Sequence, residues 1–427
     1  MNRECVKKIK IVLLIVLHIS IGSKAQTIDK LQLETAYVLA EEHYPLIADK
    51  ALLDEISKIN LQIINRERLP YITHNAEGQI QSENVSLNTG TSNVELPLET
   101  FKAFVDMNFD LYNGGLVKAK KEIEKSLLKV NQQNLKVTLR TLQNRVNNLF
   151  FTIKLSKQQK ELLKTSIDDI ESNIRTLQVQ YDNGVVLESE LSKLKVRQLE
   201  LQSDTFRLDG DIKAYFAVLQ ELLGISLSVD TELILPPLNN EMIDGNISRP
   251  EQLLYDYQKE LLTAQEATIK AGRKPKISLF AQGGIGNPNP LNFTDTETAN
   301  YALGGIRLQW NLIDWGKGKK ERQKLKVEIE QTKVDKETFE FDIASREEEY
   351  RQRINALQTQ LKNDEQIVTL QQYILKQTET QLNNGIINSN DYITQVNAEL
   401  SAKQQLELHK VELQQLQIEY LTVFGKL

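Results

Sequence analysis

The sequence predicts an α+β protein made mostly of long α-helices, in which one helix–strand–strand–helix–helix unit occurs twice. The copies are spaced by 201 residues, since Leu111 and Leu312 hold matching positions, as do Gly184 and Gly385. An alternating apolar and polar strand stands at the same place in each copy. Each strand is followed by a long stretch, 116–183 or 319–384, without proline or glycine. A repeat of this length indicates one structural unit built twice.

Residues 1–25 have the features of a secretory signal peptide. A basic start precedes the apolar run 11–21, and Ser23-Lys24-Ala25 offers a small-x-small cleavage site. The run is too short to span a bilayer as a helix, although an uncleaved anchor is the alternative. The only cysteine, Cys5, lies in this segment. We therefore expect a mature chain without disulfides or cysteine metal sites.

Charge and composition exclude several functional classes. The net charge is −6, and removal of the signal peptide, which carries a net +4, leaves −10. Such a negative chain repels nucleic acid, so we expect no nucleic-acid partner. His43, His74 and His409 lie on three different predicted elements, and the sequence has no phosphate-binding glycine loop. We predict no enzyme activity, no catalytic or metal site and no cofactor.

The second strand of each copy alternates between apolar and polar positions. Such alternation puts one face of a strand in an apolar medium and the other in water. Strands of about ten residues are long enough to cross a bilayer when tilted. A single hairpin of this kind is more often soluble, but two matched hairpins, at 71–112 and 277–312, favour the membrane. The candidate lipid-facing residues are Val105, Met107, Phe109, Ile306, Leu308 and Trp310.

Each β-hairpin leads into a predicted helical hairpin, at 115–223 in the first copy and 317–427 in the second. The turns between the long helices carry Asn-Gly, a pair that tolerates positive φ and ends a helix, at the hairpin-tip residues Gly184 and Gly385. Leucine and isoleucine follow a heptad spacing in the first copy, which indicates supercoiled helices. The seam of the second copy is less regular, because Asp364 and Gln371 interrupt it. We place the first repeat at 26–223, a connector at 224–248 and the second repeat at 249–427.

Four strands cannot close a membrane barrel, because an open edge in lipid leaves backbone groups without partners. Chains must therefore pool their strands. Two chains would supply eight strands around a filled interior, and three would supply twelve, with room for a channel.

The sequence resembles the TolC-like outer membrane efflux protein family. The resemblance rests on the duplicated organisation and on several segments in order: 108–115, 181–184, 222–225, 249–251, 310–316 and 382–385. It implies a homotrimer with a twelve-stranded outer-membrane β-barrel and a twelve-helix periplasmic α-barrel in a Gram-negative bacterium. It also implies outer-membrane lipid, a periplasmic adaptor (membrane fusion) protein and an inner-membrane pump as partners, in drug efflux or type I protein secretion.

The resemblance further implies a channel gate beyond the hairpin-tip glycines. Family members carry acidic residues six positions after these glycines, where this chain has Glu190 and Asp391. The second acidic position of the family is Thr394 here, and its basic latch residue is Ile387. Three carboxylates around a symmetry axis favour cations. The alternative is that these residues are surface polar groups at helix starts.

A second function remains open at this point. The chain would be a soluble periplasmic coiled-coil scaffold if the apolar faces of its strands were covered by protein. The leading expectation is a passive exit duct that receives substrate from a pump.

Overall fold

The computed structural model describes residues 28–88, 93–236, 249–292 and 294–426. The predicted signal peptide and residues 237–248 of the predicted connector lie outside this part of the chain. The described residues form two compact units, and each unit combines segments from both copies of the repeat. The first unit holds residues 28–47, 139–236 and 343–426. The second holds 48–88, 93–138, 249–292 and 294–342.

Long helices dominate the described residues, and the strands are few. The helices are α1 (Leu33–His43), α2 (Asp49–Arg66), α3 (Leu116–Leu139), α4 (Thr141–Asp182), α5 (Glu188–Leu223), α6 (Pro250–Gly272), α7 (Lys317–Asn383) and α8 (Ser389–Phe424). The strands are β1 (Lys30–Gln32), β2 (Tyr71–Ile80), β3 (Ser86–Asn88), β4 (Asn93–Glu95), β5 (Glu99–Tyr112), β6 (Glu232–Ile234), β7 (Lys276–Asn287) and β8 (Ala299–Gln309). None of the helices in the described ranges combines the length and apolar character that a membrane span requires.

The long helix of the first copy is interrupted where the sequence predicted continuity. At Arg140 the backbone N–H of Gln143 donates to the Arg140 carbonyl at 3.0 Å, a three-residue hydrogen bond that tightens the turn. The Arg140 guanidinium also donates to the Thr422 carbonyl near the end of α8. The helix therefore ends as α3 and begins again as α4. The matching helix of the second copy, α7, continues over 67 residues.

The core at the tip end of the first unit joins the two copies. It contains Leu163, Ile170 and Leu177 of α4, Leu191, Leu194, Leu201 and Leu208 of α5, Leu382 of α7, and Tyr392, Val396 and Leu400 of α8. The heptad spacing brings the leucines of α4 and α5 to one seam, and α8 packs its own apolar side chains against the same seam. Full burial of each such side chain contributes roughly 1.5–3 kcal/mol.

Polar residues in the helix seams have polar partners on the neighbouring helix. Lys160 on α4 forms an ion pair with Asp209 on α5. Asp364 on α7 lies 2.6 Å from Nδ1 of the buried His409 on α8. About two turns further along α7, Gln371 accepts a hydrogen bond from the amide of Gln395 at 2.7 Å. The interruptions are thus matched across the helical hairpins, as buried polar groups require.

The second unit contains an antiparallel sheet in the strand order β2-β5-β7-β8. Its register pairs Val105 with His74 on one side and with Gly283 on the other, and Gly283 pairs with Ala302. Directly paired residues point to the same face. The apolar positions of all four strands therefore share one face of the sheet. Inside the described part of the chain, β2 and β8 are the edges of this sheet and each has one partner strand.

Two features of this unit need separate mention: one differs between the two repeats, and the other differs from the prediction. The segment between β2 and β5 contains an additional small hairpin of β3 and β4. Strand β8 ends at Gln309, so the prediction that a strand continues through Trp310 to Leu312 was wrong. The reason is Pro275: β7 begins at Lys276, which pairs with Gln309, and proline has no N–H to extend the ladder.

Candidate functional site

Both hairpin tips are built by the same local geometry. Gly184 has a φ of +71° and Gly385 a φ of +70°, the left-handed conformation that glycine adopts without strain. In each tip the glycine N–H donates to the carbonyl three residues back, and the next N–H donates to the carbonyl five residues back. This is the Schellman motif, which satisfies the last carbonyls of a helix. A Cβ at either glycine would meet open space, so the positive φ is the reason for glycine.

Asp391 forms part of the cap at the start of α8. The Asn388 side chain accepts from the backbone N–H of Asn390 at 2.8 Å and of Asp391 at 3.2 Å. The Asp391 carboxylate in turn accepts from the Asn388 N–H at 3.4 Å. This reciprocal arrangement is a capping box. The predicted gate residue is exposed and has a structural role at the helix start.

Glu190 connects the two tips. It lies in the first turn of α5, and its carboxylate accepts from the backbone N–H of Ser389 at 2.7 Å, the first residue of α8. The Lys193 ammonium lies 2.8 Å away. This ammonium, followed by the Ser389 N–H, lowers the pKa of the Glu190 carboxyl below its usual range. Glu190 is therefore negatively charged at neutral pH.

Glu190 and Asp391 both line one groove, and Thr394 takes no part in their hydrogen bonds. A groove of about 470 Å³ at the tips includes both carboxylates among its lining residues. The Thr394 hydroxyl donates to the Asn390 carbonyl at 2.8 Å, within its own helix. Around the groove three apolar tip side chains are well exposed: Val185, Leu187 and Ile386. The tips thus present two fixed carboxylates beside an apolar surface.

A buried polar contact below the tips was not anticipated from the sequence. The side-chain amide of Asn173 on α4 donates to the hydroxyl of Tyr392 on α8 at 2.8 Å. Tyr392 is 1% exposed, and burial raises the pKa of its phenol well above the usual range. No sequence signal pointed to this contact, because the predicted seam passes through Ile170 and Ile174 on either side of Asn173. This contact fixes α8 against the first helical hairpin directly beneath the groove.

The candidate lipid-facing residues lie as their alternation implied, with one exception. Val105, Met107 and Phe109 on β5 share a face with Ile306 and Leu308 on β8. Val105 is 45% exposed, Ile306 69% and Leu308 66%. Trp310 follows β8, and its indole N–H donates to the Arg273 carbonyl at 3.1 Å. A continuous apolar face is therefore left uncovered by the residues that the structure describes.

The opposite face of the sheet carries a hydrogen-bond network. The Asp106 carboxylate accepts from Asn75 at 3.1 Å and from Gln282 at 2.7 Å. Tyr301 donates to Gln282 at 3.2 Å. The network crosses all four strands, so it depends on a register that the sequence does not reveal. The two faces of the sheet are chemically opposed, one apolar and one polar.

The described residues contain no group of three or more His, Cys, Asp or Glu side chains arranged to hold a metal ion.

Comparison with known proteins relates this architecture to one family. Residues 42–225 match the family model described as outer membrane efflux protein. This match confirms the resemblance inferred from the sequence. No curated protein matches the chain.

Solved structures of outer membrane proteins share the fold over nearly the whole chain. The outer membrane protein VceC of Vibrio cholerae is 12% identical with a TM-score of 0.64, over 92% of this chain and 96% of that one. The CmeC outer membrane channel of Campylobacter jejuni is 14% identical with a TM-score of 0.62, over 92% and 85%. The MtrE outer membrane channel of Neisseria gonorrhoeae, solved in its open state, is 14% identical with a TM-score of 0.62, over 94% and 93%. At these identities the likeness concerns the fold.

Proposed function

We propose that this chain is one subunit of a passive exit duct in the outer membrane of a Gram-negative bacterium. The observation that carries the proposal is the exposed apolar face of the four-stranded sheet, backed by a polar face with a hydrogen-bond network. A sheet with these faces suits a wall between lipid and a water-filled lumen. The likeness of the fold to outer membrane channels supports the same function.

The proposed assembly is a homotrimer. Strands β2 and β8 are edges of the sheet among the described residues, and lipid offers no hydrogen-bond partner to an open edge. In a trimer, pairing β8 of each chain with β2 of the next chain closes a ring of twelve strands. The long helices α3–α4, α5, α7 and α8 would pool into a twelve-helix periplasmic barrel. Three chains are favoured over two, because the eight strands of a dimer would enclose an interior that side chains fill.

The gate is proposed to lie at the hairpin tips. Three copies of Asp391 around the axis would attract cations and repel anions. Glu190 would hold the start of α8 in place through Ser389, because its hydrogen bond joins the two tips of one chain. Thr394 lies three residues after Asp391 on the same helix and would line the next level of the opening.

The partners follow from what the duct lacks. The sequence contains no phosphate-binding glycine loop, so energy must come from elsewhere. We propose an inner-membrane pump for that role and a periplasmic adaptor protein to join the pump to the duct. The exposed apolar side chains Val185, Leu187 and Ile386 at the tips would contact the adaptor.

Reconstitution tests the proposal. The full-length protein, purified in detergent and added to planar bilayers, should give discrete cation-selective currents, and its mass in detergent should be that of three chains. A protein that stays in the soluble cell fraction and forms no channels would instead be the coiled-coil scaffold.

A further inference from the structure

Four segments of the chain meet at the helix-facing end of the sheet. The antiparallel order brings together the starts of β2 and β7 and the ends of β5 and β8. Contacts join neighbouring segments here: the Trp310 indole donates to the Arg273 carbonyl, a Cβ on Gly114 would lie 3.0 Å from the Cβ of Lys274, and the Lys120 ammonium lies 2.6 Å from the Glu67 carboxylate. Residues 66–70, 113–121, 273–276 and 310–320 thus form one continuous band, which we call the collar.

The collar is strongly basic although the chain as a whole is acidic. Its four segments contain eleven lysines and arginines and two acidic residues, whereas the chain has a net charge of −6. The segments that connect the strands at the other end of the sheet, 81–98 and 288–298, contain four acidic residues and no lysine or arginine. The positive charge is therefore concentrated at one end of the strands.

Several lysines of the collar lie in the first turn of a helix, where they oppose helix stability. A helix N-terminus carries partial positive charge, so acidic residues stabilise its first turn and lysines destabilise it. Helices α5 and α8, which begin at the tips, follow this rule with Glu188, Glu190 and Asp391. Helices α3 and α7, which begin at the collar, have no acidic residue in the first turn. The first turn of α7 instead carries three exposed lysines, at positions 317, 319 and 320.

Large apolar side chains stand beside these charges. Trp315 is 94% exposed, and Leu312 and Ile313 are each 71% exposed. Trp315 has a φ of +50°, a conformation that a bulky residue adopts only under strain. The Asp314 carboxylate holds this turn by accepting from the N–H groups of Gly316 and Gly318, each at 3.1 Å. The strained turn keeps an indole fully exposed next to the lysines.

We propose that the collar binds the phosphate groups of anionic phospholipids in the periplasmic leaflet of the outer membrane. Lysine and arginine near an anionic membrane surface attract it, and tryptophan prefers the boundary between headgroups and acyl chains. A nucleic acid or an acidic protein would match the charge but would leave Trp315, Leu312 and Ile313 in water. The inference rests on the proposed function, because it takes the apolar face of the sheet to lie in lipid.

The two tryptophans of the chain, Trp310 and Trp315, both lie in the collar and report on neighbouring lipid. The full-length protein is reconstituted in phosphatidylcholine vesicles that contain either brominated phosphatidylglycerol or brominated phosphatidylcholine. Quenching of tryptophan fluorescence then gives the relative affinity for the two lipids. We expect a preference for phosphatidylglycerol of at least about fivefold, the factor that one lysine near an anionic surface contributes. Added salt should reduce it.

Two triple variants with the same change in charge test the position of the lysines. Lys317→Gln/Lys319→Gln/Lys320→Gln should lower the preference several-fold. Lys333→Gln/Lys362→Gln/Lys376→Gln, at exposed sites further along α7, should leave it unchanged. The first variant removes charges that oppose the helix dipole, so it should fold as well as the wild type.

The outcomes separate this inference from the proposed function. Equal quenching by both brominated lipids, or a preference that survives in the first variant, would overturn lipid binding by the collar while leaving the duct in place. Absence of quenching by either lipid would refute membrane insertion itself, and the collar inference with it.

Discussion

A lysine at Val105 tests the assignment of the two faces of the sheet. Val105 is the seventh of fourteen residues in β5 and belongs to the exposed apolar face, where it is 45% exposed. If that face meets lipid, Val105→Lys puts a charged group near the middle of the bilayer. The cost there is about 2–4 kcal/mol per chain, or about 6–12 kcal/mol for three chains.

Asn108→Lys is the matched control. Asn108 lies on the same strand, three residues away, and therefore on the opposite face. That face already carries Lys102, whose ammonium lies 4.3 Å from the centre of the Phe104 ring. A lysine in a polar lumen keeps its hydration, so the control should insert as the wild type does.

The assay is equilibrium folding into phospholipid vesicles at increasing urea concentration, with protease protection as the measure of insertion. Val105→Lys should lower the ratio of inserted to free chain by a factor of about 30 to 1000, which corresponds to 2–4 kcal/mol per chain. Equal insertion of both variants would refute a lipid-facing sheet. A defect in Asn108→Lys alone would show that the faces are reversed, as a slip of one residue in register would make them.

Three further predictions concern the tips and the core. Asp391→Ala and Asp391→Asn should both raise single-channel conductance or weaken block by divalent cations, because both remove the charge. Asparagine keeps an acceptor for the helix cap. Unchanged currents in both variants would remove Asp391 from the gate. The pKa of Glu190 is depressed in the folded protein, so its stabilising hydrogen bond to Ser389 is present above the unfolded pKa of about 4.3 and is lost as pH falls through the folded value. The Tm of Glu190→Gln should accordingly fall below that of the wild type at pH 7, and the difference should vanish at strongly acidic pH; a difference independent of pH would contradict this reasoning. Leu194→Ala should lower the free energy of unfolding, measured by denaturant titration, by about 2–5 kcal/mol. The control Lys195→Ala, at the adjacent exposed position, should lower it by less than about 0.5 kcal/mol. Similar losses in the two variants would argue against the core described above.

Local features of this fold could be predicted from the sequence because their causes are local. The alternation from Phe101 to Leu111, which only Phe104 interrupts, specifies a strand with two unlike faces, whatever that strand pairs with. Asn-Gly before each second helix specifies a left-handed turn, as the positive φ of Gly184 and Gly385 bears out. The capping box at Asn388 and Asp391 is of the same kind, since its residues are three positions apart.

Features that depend on register could not be predicted. Asp106 and Gln282 are hydrogen-bonded but lie 176 positions apart. Their contact follows from the pairing of β5 with β7, which no local pattern reports. Asp364 and His409 were for the same reason interpreted separately, one as a break in a seam and the other as an isolated histidine. The end of β8 before Trp310 depends on Pro275, which directly precedes the neighbouring strand β7.

The position of α8 has a consequence for the order in which the parts of the chain can fold. Tyr392, Val396 and Leu400 complete a core whose other walls, α4 and α5, leave the ribosome some two hundred residues earlier. Until the last helix emerges, the leucine seam of the first copy has one side open to water and to other chains. Exposed apolar surface of this kind makes nascent chains prone to aggregation. A premature stop before residue 389 should therefore yield a chain that is degraded or bound by chaperones, even though the complete first copy has been made.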